Sequence, residues 1–581
     1  MRIIKRIIPI AIAALSILFL ACGNQAARQP EALDDRFLYA SFRDIPGVTN
    51  DEIKAIEALQ GQRTSLVYGM PLSTEAFRNE NGEIRGYTTL LCEWLTDLFG
   101  IQFQPRLYKW PDLLAGLETL EIAFTGELTA TPERLSVFSM TSDITSHPMK
   151  QYRLEDSRPL SEIVRERPIR CGFVVGRTVM ISTVISEMGS GTYEVILLDD
   201  ASLVYDALKS GEIDAFYYND SVEANFVEYT DVVDSNFHPL LYRPNSLGTR
   251  DPALFPIISV VEKALEHRAL RHLVELYNKG YQEYLEYKMF MRLNEEERRY
   301  IREHPVIRFA AESSNYPISF YNSREGQWQG IAFDVLREVE ALTGLRFDRV
   351  NDENAGWSVI LKMLEDDEVS IITELMHTPE RDDSFLWSNT ANMVSYTALM
   401  SREDLRNITP NEVLFMKVGL ISGYGHTTLF RRWFPNHFDT VEYDSTLDAF
   451  NGLDHGEVDL IMTSSHELLL MTNFLERTGY KINYMFDSPF SSAFGFNKNE
   501  AVLCSIVDKA LQMVNISLIS DRWLRKTYDY RSRVAEAQRP WFIGSLVMFL
   551  GVLSLLASLI SKTRRAGREL EKLVGKRTEE L

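Results

Sequence analysis

Two rhythms of apolar and polar residues alternate along this chain. Residues 306–311 hold Val306, Ile307, Phe309 and Ala310 in a short apolar run, which predicts a buried strand. Residues 331–342 then place Ile331, Val335, Leu336, Val339 and Leu342 at three- and four-residue spacing, the stripe of a helix, and Gly344 ends it. A second strand is predicted at 417–421, leading through Gly423 and Gly425 into another helix. Strand and helix alternating in this order predict α/β domains with largely parallel sheets.

The pattern occurs twice. Asn50-Asp51-Glu52 matches Asn294-Glu295-Glu296, Gly82 matches Gly326, Gly86 matches Gly330, and Gly100-x-x-Phe103 matches Gly344-x-x-Phe347, all 244 residues apart. Trp110 matches Trp357 at 247, as do Thr131-Pro132-Glu133-Arg134 with Thr378-Pro379-Glu380-Arg381 and Gly172-x-x-x-Gly176 with Gly419-x-x-x-Gly423. Gly211-Glu212-Ile213-Asp214 returns as Gly456-Glu457-Val458-Asp459 at 245. So steady an offset predicts two copies of one module, each of about 240 residues and so large enough for two lobes.

Two uncharged runs stand outside the repeat. Residues 7–21 follow Arg2, Lys5 and Arg6 and have the length of a signal-peptide core. They end in Phe19-Leu20-Ala21-Cys22-Gly23, which resembles a bacterial lipobox and implies lipidation of Cys22; Ala21-x-Gly23 equally fits ordinary cleavage, and both readings imply export. Residues 541–561 are 21 without a charge, and at about 1.5 Å per residue they span the roughly 30 Å of a bilayer core. The basic run after them, from Lys562 to Arg577, predicts a cytoplasmic tail by the positive-inside rule.

Composition narrows the function. The 581 residues are 45% hydrophobic and 25% charged, ordinary for a globular protein, with a net charge of −21. Setting aside the two basic ends leaves the exported part near −27, which argues against a nucleic-acid partner. The four cysteines, Cys22, Cys92, Cys171 and Cys504, form no CxxC pair or Cys/His cluster, so neither a metal site nor a disulfide scaffold is expected, and no motif calls for a cofactor.

Each copy resembles a solute-binding protein of family 3, the bilobed periplasmic Venus flytrap. The resemblance rests on Tyr316-Pro317-x-x-Phe320, Gly326-x-x-x-Gly330-x-x-x-Asp334, Thr378-Pro379-Glu380-Arg381-x-x-x-Phe385, Gly419-x-x-x-Gly423 and Gly456-x-x-Asp459. It implies a fold of two tandem bilobed α/β modules at 45–290 and 295–530, after a signal at 1–21 and before a span at 541–561 and a signalling helix at 562–581. That order resembles the input half of a flytrap-type sensor histidine kinase in a bacterial inner membrane, working as a homodimer, with any kinase part beyond Leu581. Alternative readings are a tethered receptor for an uptake permease and, least favoured, a flytrap-bearing lyase or dehydratase.

The resemblance also assigns roles in binding a small anionic or zwitterionic solute. Arg381 and Arg134 are implied to grip a ligand carboxylate as bidentate forks. Thr378 and Thr131 cap the short helices that carry them, and Thr129 lies beside the first. Gly423 with Tyr424, and Gly176, open a helix toward the same anion, while Tyr316 and Phe320 are implied aromatic walls. Where relatives carry an aspartate for the ligand ammonium, this chain has Asn219 and Ser464, which favours a carboxylate without an amine. Glu127 and Glu374, seven residues before each arginine, are substitutes for the missing acid or solvated side chains. The first copy, with Leu72-Ser73 in place of Tyr-Pro, is expected to be the degenerate one.

Overall fold

The computed structural model describes residues 39–526, 528 and 530–579; the signal and lipidation readings, Cys22 among them, lie outside the described residues. The duplication appears first in how each module begins. Thr49 caps the helix Asn50–Gln62 in a reciprocal capping box with Glu52, and Asn294 caps Glu295–Glu303 in the same way with Glu297. Glu52 also accepts from Ser259 and Lys263, and Glu297 from Ser505 and Lys509, at 2.6–2.7 Å in both modules. The structural partner of Glu52 is therefore Glu297, one residue beyond the Glu296 that the repeat alignment chose. A capping box requires the acid at the third helical position, and that geometry sets the register.

In the second module one nine-stranded sheet runs through both lobes. The parallel strands Val306–Ala310, Arg346–Arg349 and Ile371–Met376 form the first lobe, and Val418–Ile421, Thr440–Tyr443 and Leu460–Ser464 the second. Two long antiparallel strands, Met393–Arg402 and Tyr480–Asn497, cross between them. Tyr480–Asn497 pairs with Ile371–Met376 of the first lobe, Met393–Arg402 pairs with Leu460–Ser464 of the second, and the two pair with each other, so bending them moves one lobe against the other. The first module has the matching crossing strands, Ser139–Leu154 and Tyr242–Thr249, in a seven-stranded sheet, but its parallel pair Ser65–Met70 and Gln102–Leu107 forms a separate sheet. The helices close over the sheets with apolar faces such as Ile331, Val335, Leu336 and Val339, all essentially inaccessible.

The helix Leu270–Arg292 ties the modules together. Gly280 lies so close to the backbone of Tyr87 that a Cβ there would stand 2.2 Å from its nitrogen, while Met289, at the far end, is buried in the core of the second module. After the second module the chain forms one helix, Tyr530–Glu579. From Trp541 onward it packs against no other described part of the protein, and among the described residues it is the one unbent helix long and apolar enough to cross a membrane.

Candidate functional site

The crossing strands of the second module close the lobes around a cavity of about 60 Å³, room for roughly four to six water-sized groups. Its walls come from both lobes: Glu312, Trp357, Glu374 and Arg381 from the first, Tyr424, His426, Ser464 and Glu467 from the second, and Ser395 and Phe490 from the crossing strands. The turn after Val418–Ile421 is the contact between lobes. Gly423 sits at φ +75°, and a Cβ on it would stand 3.3 Å from the Trp357 ring, so the left-handed turn and the tight approach both call for glycine. Its carbonyl accepts from Trp357 Nε1 at 3.0 Å and from Arg381 Nη2 at 3.0 Å. Arg381 Nη1 donates to the Met376 carbonyl at 3.1 Å, so this guanidinium links the lobes through backbone. The Tyr424 hydroxyl donates to Glu312 across the same gap.

Acids dominate this cavity. Glu312, Glu374 and Glu467 are all buried. Burial pushes each carboxyl above its usual range, and the charge of Glu312 pushes Glu374 and Glu467 further. Glu374 accepts from Ser319 at 3.0 Å and from Thr373 at 2.5 Å, whereas Glu467 Oε2 has no hydrogen-bond partner. His426 is pulled down to about 4 by burial and stays neutral, which leaves Arg381 to face three acids.

The residues named from sequence divide between cavity and core. Arg381, Glu374, Tyr424 and Ser464 line the cavity, and Gly423 supplies its bridging carbonyl. Thr378 is buried at the start of a short 3-10 turn and makes no side-chain cap. Tyr316 and Phe320 are fully buried against Phe474, Trp523 and Tyr528, and the Tyr316 hydroxyl donates to the Lys526 carbonyl at 2.9 Å. They pack where the chain leaves the module, so the aromatic walls of the cleft are instead Trp357, Tyr424 and Phe490. Glu312, Glu467 and Phe490 carried no sequence signal, because each lies on a segment with no anchor in the repeat.

The first module places the matching residues together with different chemistry. Gly176, at φ +79°, packs on Trp110 as Gly423 packs on Trp357. The next residue is Arg177, fully buried, stacked on the Trp110 ring at 3.6 Å and paired with Glu127 at 3.1 Å. Arg134 Nη1 donates to the Thr129 carbonyl at 3.1 Å, and Arg243 Nε donates to the Thr129 hydroxyl at 2.8 Å. Thr131 does cap its helix, accepting from the Arg134 amide at 3.3 Å. Asn219 is fully buried and accepts from Ser221 at 2.8 Å. His147 bridges Glu75 at 2.9 Å and Asp220 at 2.7 Å; burial alone would depress its pKa, but the two acids outweigh that and hold the ring charged.

Residues 307–526, most of the second module, match the family model of bacterial extracellular solute-binding proteins, family 3. Among solved structures, the periplasmic domain of BvgS from Bordetella pertussis is 17% identical, covers 84% of this chain and 96% of its own, and superposes at a TM-score of 0.42. A structure described as VC protein is 19% identical over 79% of this chain and 100% of its own, at 0.48. A histidine kinase sensor domain similar to periplasmic binding proteins is 17% identical over 39% of this chain and 100% of its own, at 0.35. No curated protein matches the sequence. The chain carries flytrap-like α/β domains followed by one long apolar helix.

Proposed function

We propose that this protein is a membrane-anchored receptor of the bacterial envelope whose second module closes on a small amino-acid-like solute and passes that closure to the helix Tyr530–Glu579. The observation that carries this reading is the makeup of the cavity: three buried carboxyls against one guanidinium, with Glu467 Oε2 free to accept. A carboxylate alone would engage Arg381 but bring no donor to Glu467 Oε2. An ammonium group supplies donors to the glutamates and lowers their pKa by its own charge, while a carboxylate on the same molecule meets Arg381. This reverses the sequence-based preference for a ligand without an amine.

The route out follows from packing. Glu467 opens the segment that ends in Phe474, and Phe474 stacks on Tyr316 and packs on Tyr528 just before the terminal helix. A solute that favours the closed lobes shifts this segment only by its differential affinity for that state. The amine reading is tested by calorimetric titration of the detergent-solubilised chain with α-amino acids, their des-amino acids and their amides. Des-amino acids binding as tightly as the amino acids would overturn it. Transmission is tested separately, by spin-label distances across the terminal helices with and without the bound solute.

A further inference from the structure

We infer that the cleft of the first module is a second ligand site, specific for a small oxyanion with several acceptor oxygens (carboxylate, sulfate or phosphate) held chiefly by Arg177 and Arg243. Arg177 is fully buried, yet only its Nη1 has a polar partner, and Nε and Nη2 have none. Arg243 is 5% exposed; its Nε is on Thr129 and its Nη1 is unpartnered. Asn245 lies two residues further along the same strand, hence on the same face, fully buried with both amide atoms unpartnered. Asn219, the last residue of the strand Ala215–Asn219, leaves its Nδ2 unpartnered as well. Buried donors left without acceptors are rare in folded proteins because each forfeits its hydration. Arg177 and Arg243 lie within charge-interaction range of each other, and with the two asparagines they offer unpartnered donors to an acceptor with several oxygens.

Charge points the same way. Arg134, Arg177 and Arg243 face one carboxylate, Glu127. The neighbouring Glu75–His147–Asp220 chain is hydrogen-bonded within itself and adds one negative charge at most, so the cleft stays positive. Arg177 belongs to one lobe and Glu127 to the other, so an oxyanion bound to Arg177 and Arg243 also joins lobe to crossing strand. This site does not depend on the amine reading of the second module, and either can fail alone.

The test is calorimetry on the full chain in a nonionic detergent with sulfate, phosphate and succinate as separate probes, together with amide hydrogen exchange on the wild type. At least one probe is expected to bind and to slow exchange at 125–134, 170–180 and 242–247. Arg243→Gln should weaken it tenfold or more, while Arg158→Gln, an exposed ion-pair residue of the same module, leaves it unchanged. Should Arg243→Gln fold poorly, Asn245→Ala is the second variant, with a smaller loss expected. Failure of all three probes to bind at millimolar concentration, protection confined to 371–381, or equal affinity in Arg243→Gln and wild type would each overturn the inference.

Discussion

The two modules press an equivalent glycine turn against an equivalent tryptophan and surround it with different side chains, arginines in the first and carboxyls in the second. In the first, Arg177 follows the turn and Arg243 stands on the returning strand; in the second, Tyr424 and Phe490 occupy those positions 247 residues later. Conversely, Glu467 lines the second cleft where the first has Val222, 245 residues earlier. Glu127 and Glu374 are shared, as are Arg134 and Arg381. The difference teaches that one scaffold carries either set of side chains, and that a few substitutions around the turn change the chemistry of the cleft.

The largest effect should come from converting one cleft toward the other. Arg177→Tyr strands Glu127 in a buried position without its cation, which costs about 3–5 kcal/mol, and chemical denaturation should show the loss in the first module. The double variant Glu127→Gln/Arg177→Tyr should recover most of it; no recovery would mean that stacking on Trp110, not the ion pair, holds the turn.

Next in size is Arg381→Met, which removes two hydrogen bonds donated by a charged group to backbone carbonyls. Solute affinity at the second cleft should fall at least tenfold, with binding to the first module unaltered. Parallel losses at both clefts would couple sites that are argued to be independent.

The pH response should also separate the modules. Glu312, Glu374 and Glu467 have raised pKa values, so their contribution to stability is complete at pH values below the ordinary carboxylate range near about 4.3 and is lost as pH rises through their folded values. The apparent melting temperature of the second module should therefore fall as pH climbs toward and past neutrality, and Glu374→Gln should flatten the fall. Binding of an amine should strengthen over the same interval, as the carboxyls ionise. His147 has a raised pKa too, so its contribution to the first module is complete below the ordinary imidazole value near about 6.5 and is lost as pH rises from there through its folded value. A melting temperature independent of pH would count against the buried acids.

The smallest effect serves as a control. Glu52→Ala and Glu297→Ala each remove one half of a capping box and one lysine partner, and each should cost about 1 kcal/mol, equal in the two modules within error. Unequal losses would show that the scaffold itself has diverged.

Much of the architecture is legible in the sequence, because periodicity, offsets and uncharged runs are properties of neighbouring residues. The α/β alternation and the apolar helix beginning near Trp541 follow from it directly. The candidate site is legible only where a motif marks it, as at Arg381 and Gly423. Tyr316 and Phe320 illustrate the limit. Their motif identifies them, but only packing against Phe474 and Tyr528 assigns them to the chain exit rather than to the cleft.

What the sequence by itself determined is a repeated, two-lobed module and an apolar rod after it. Only the tertiary structure decided the sign of each cleft. That sign is a sum over side chains such as Glu312, Glu374 and Glu467, which lie far apart in the chain and meet because two crossing strands fold one lobe onto the other. Burial then amplifies each charge, since a carboxyl removed from water responds to its neighbours far more strongly than one on the surface.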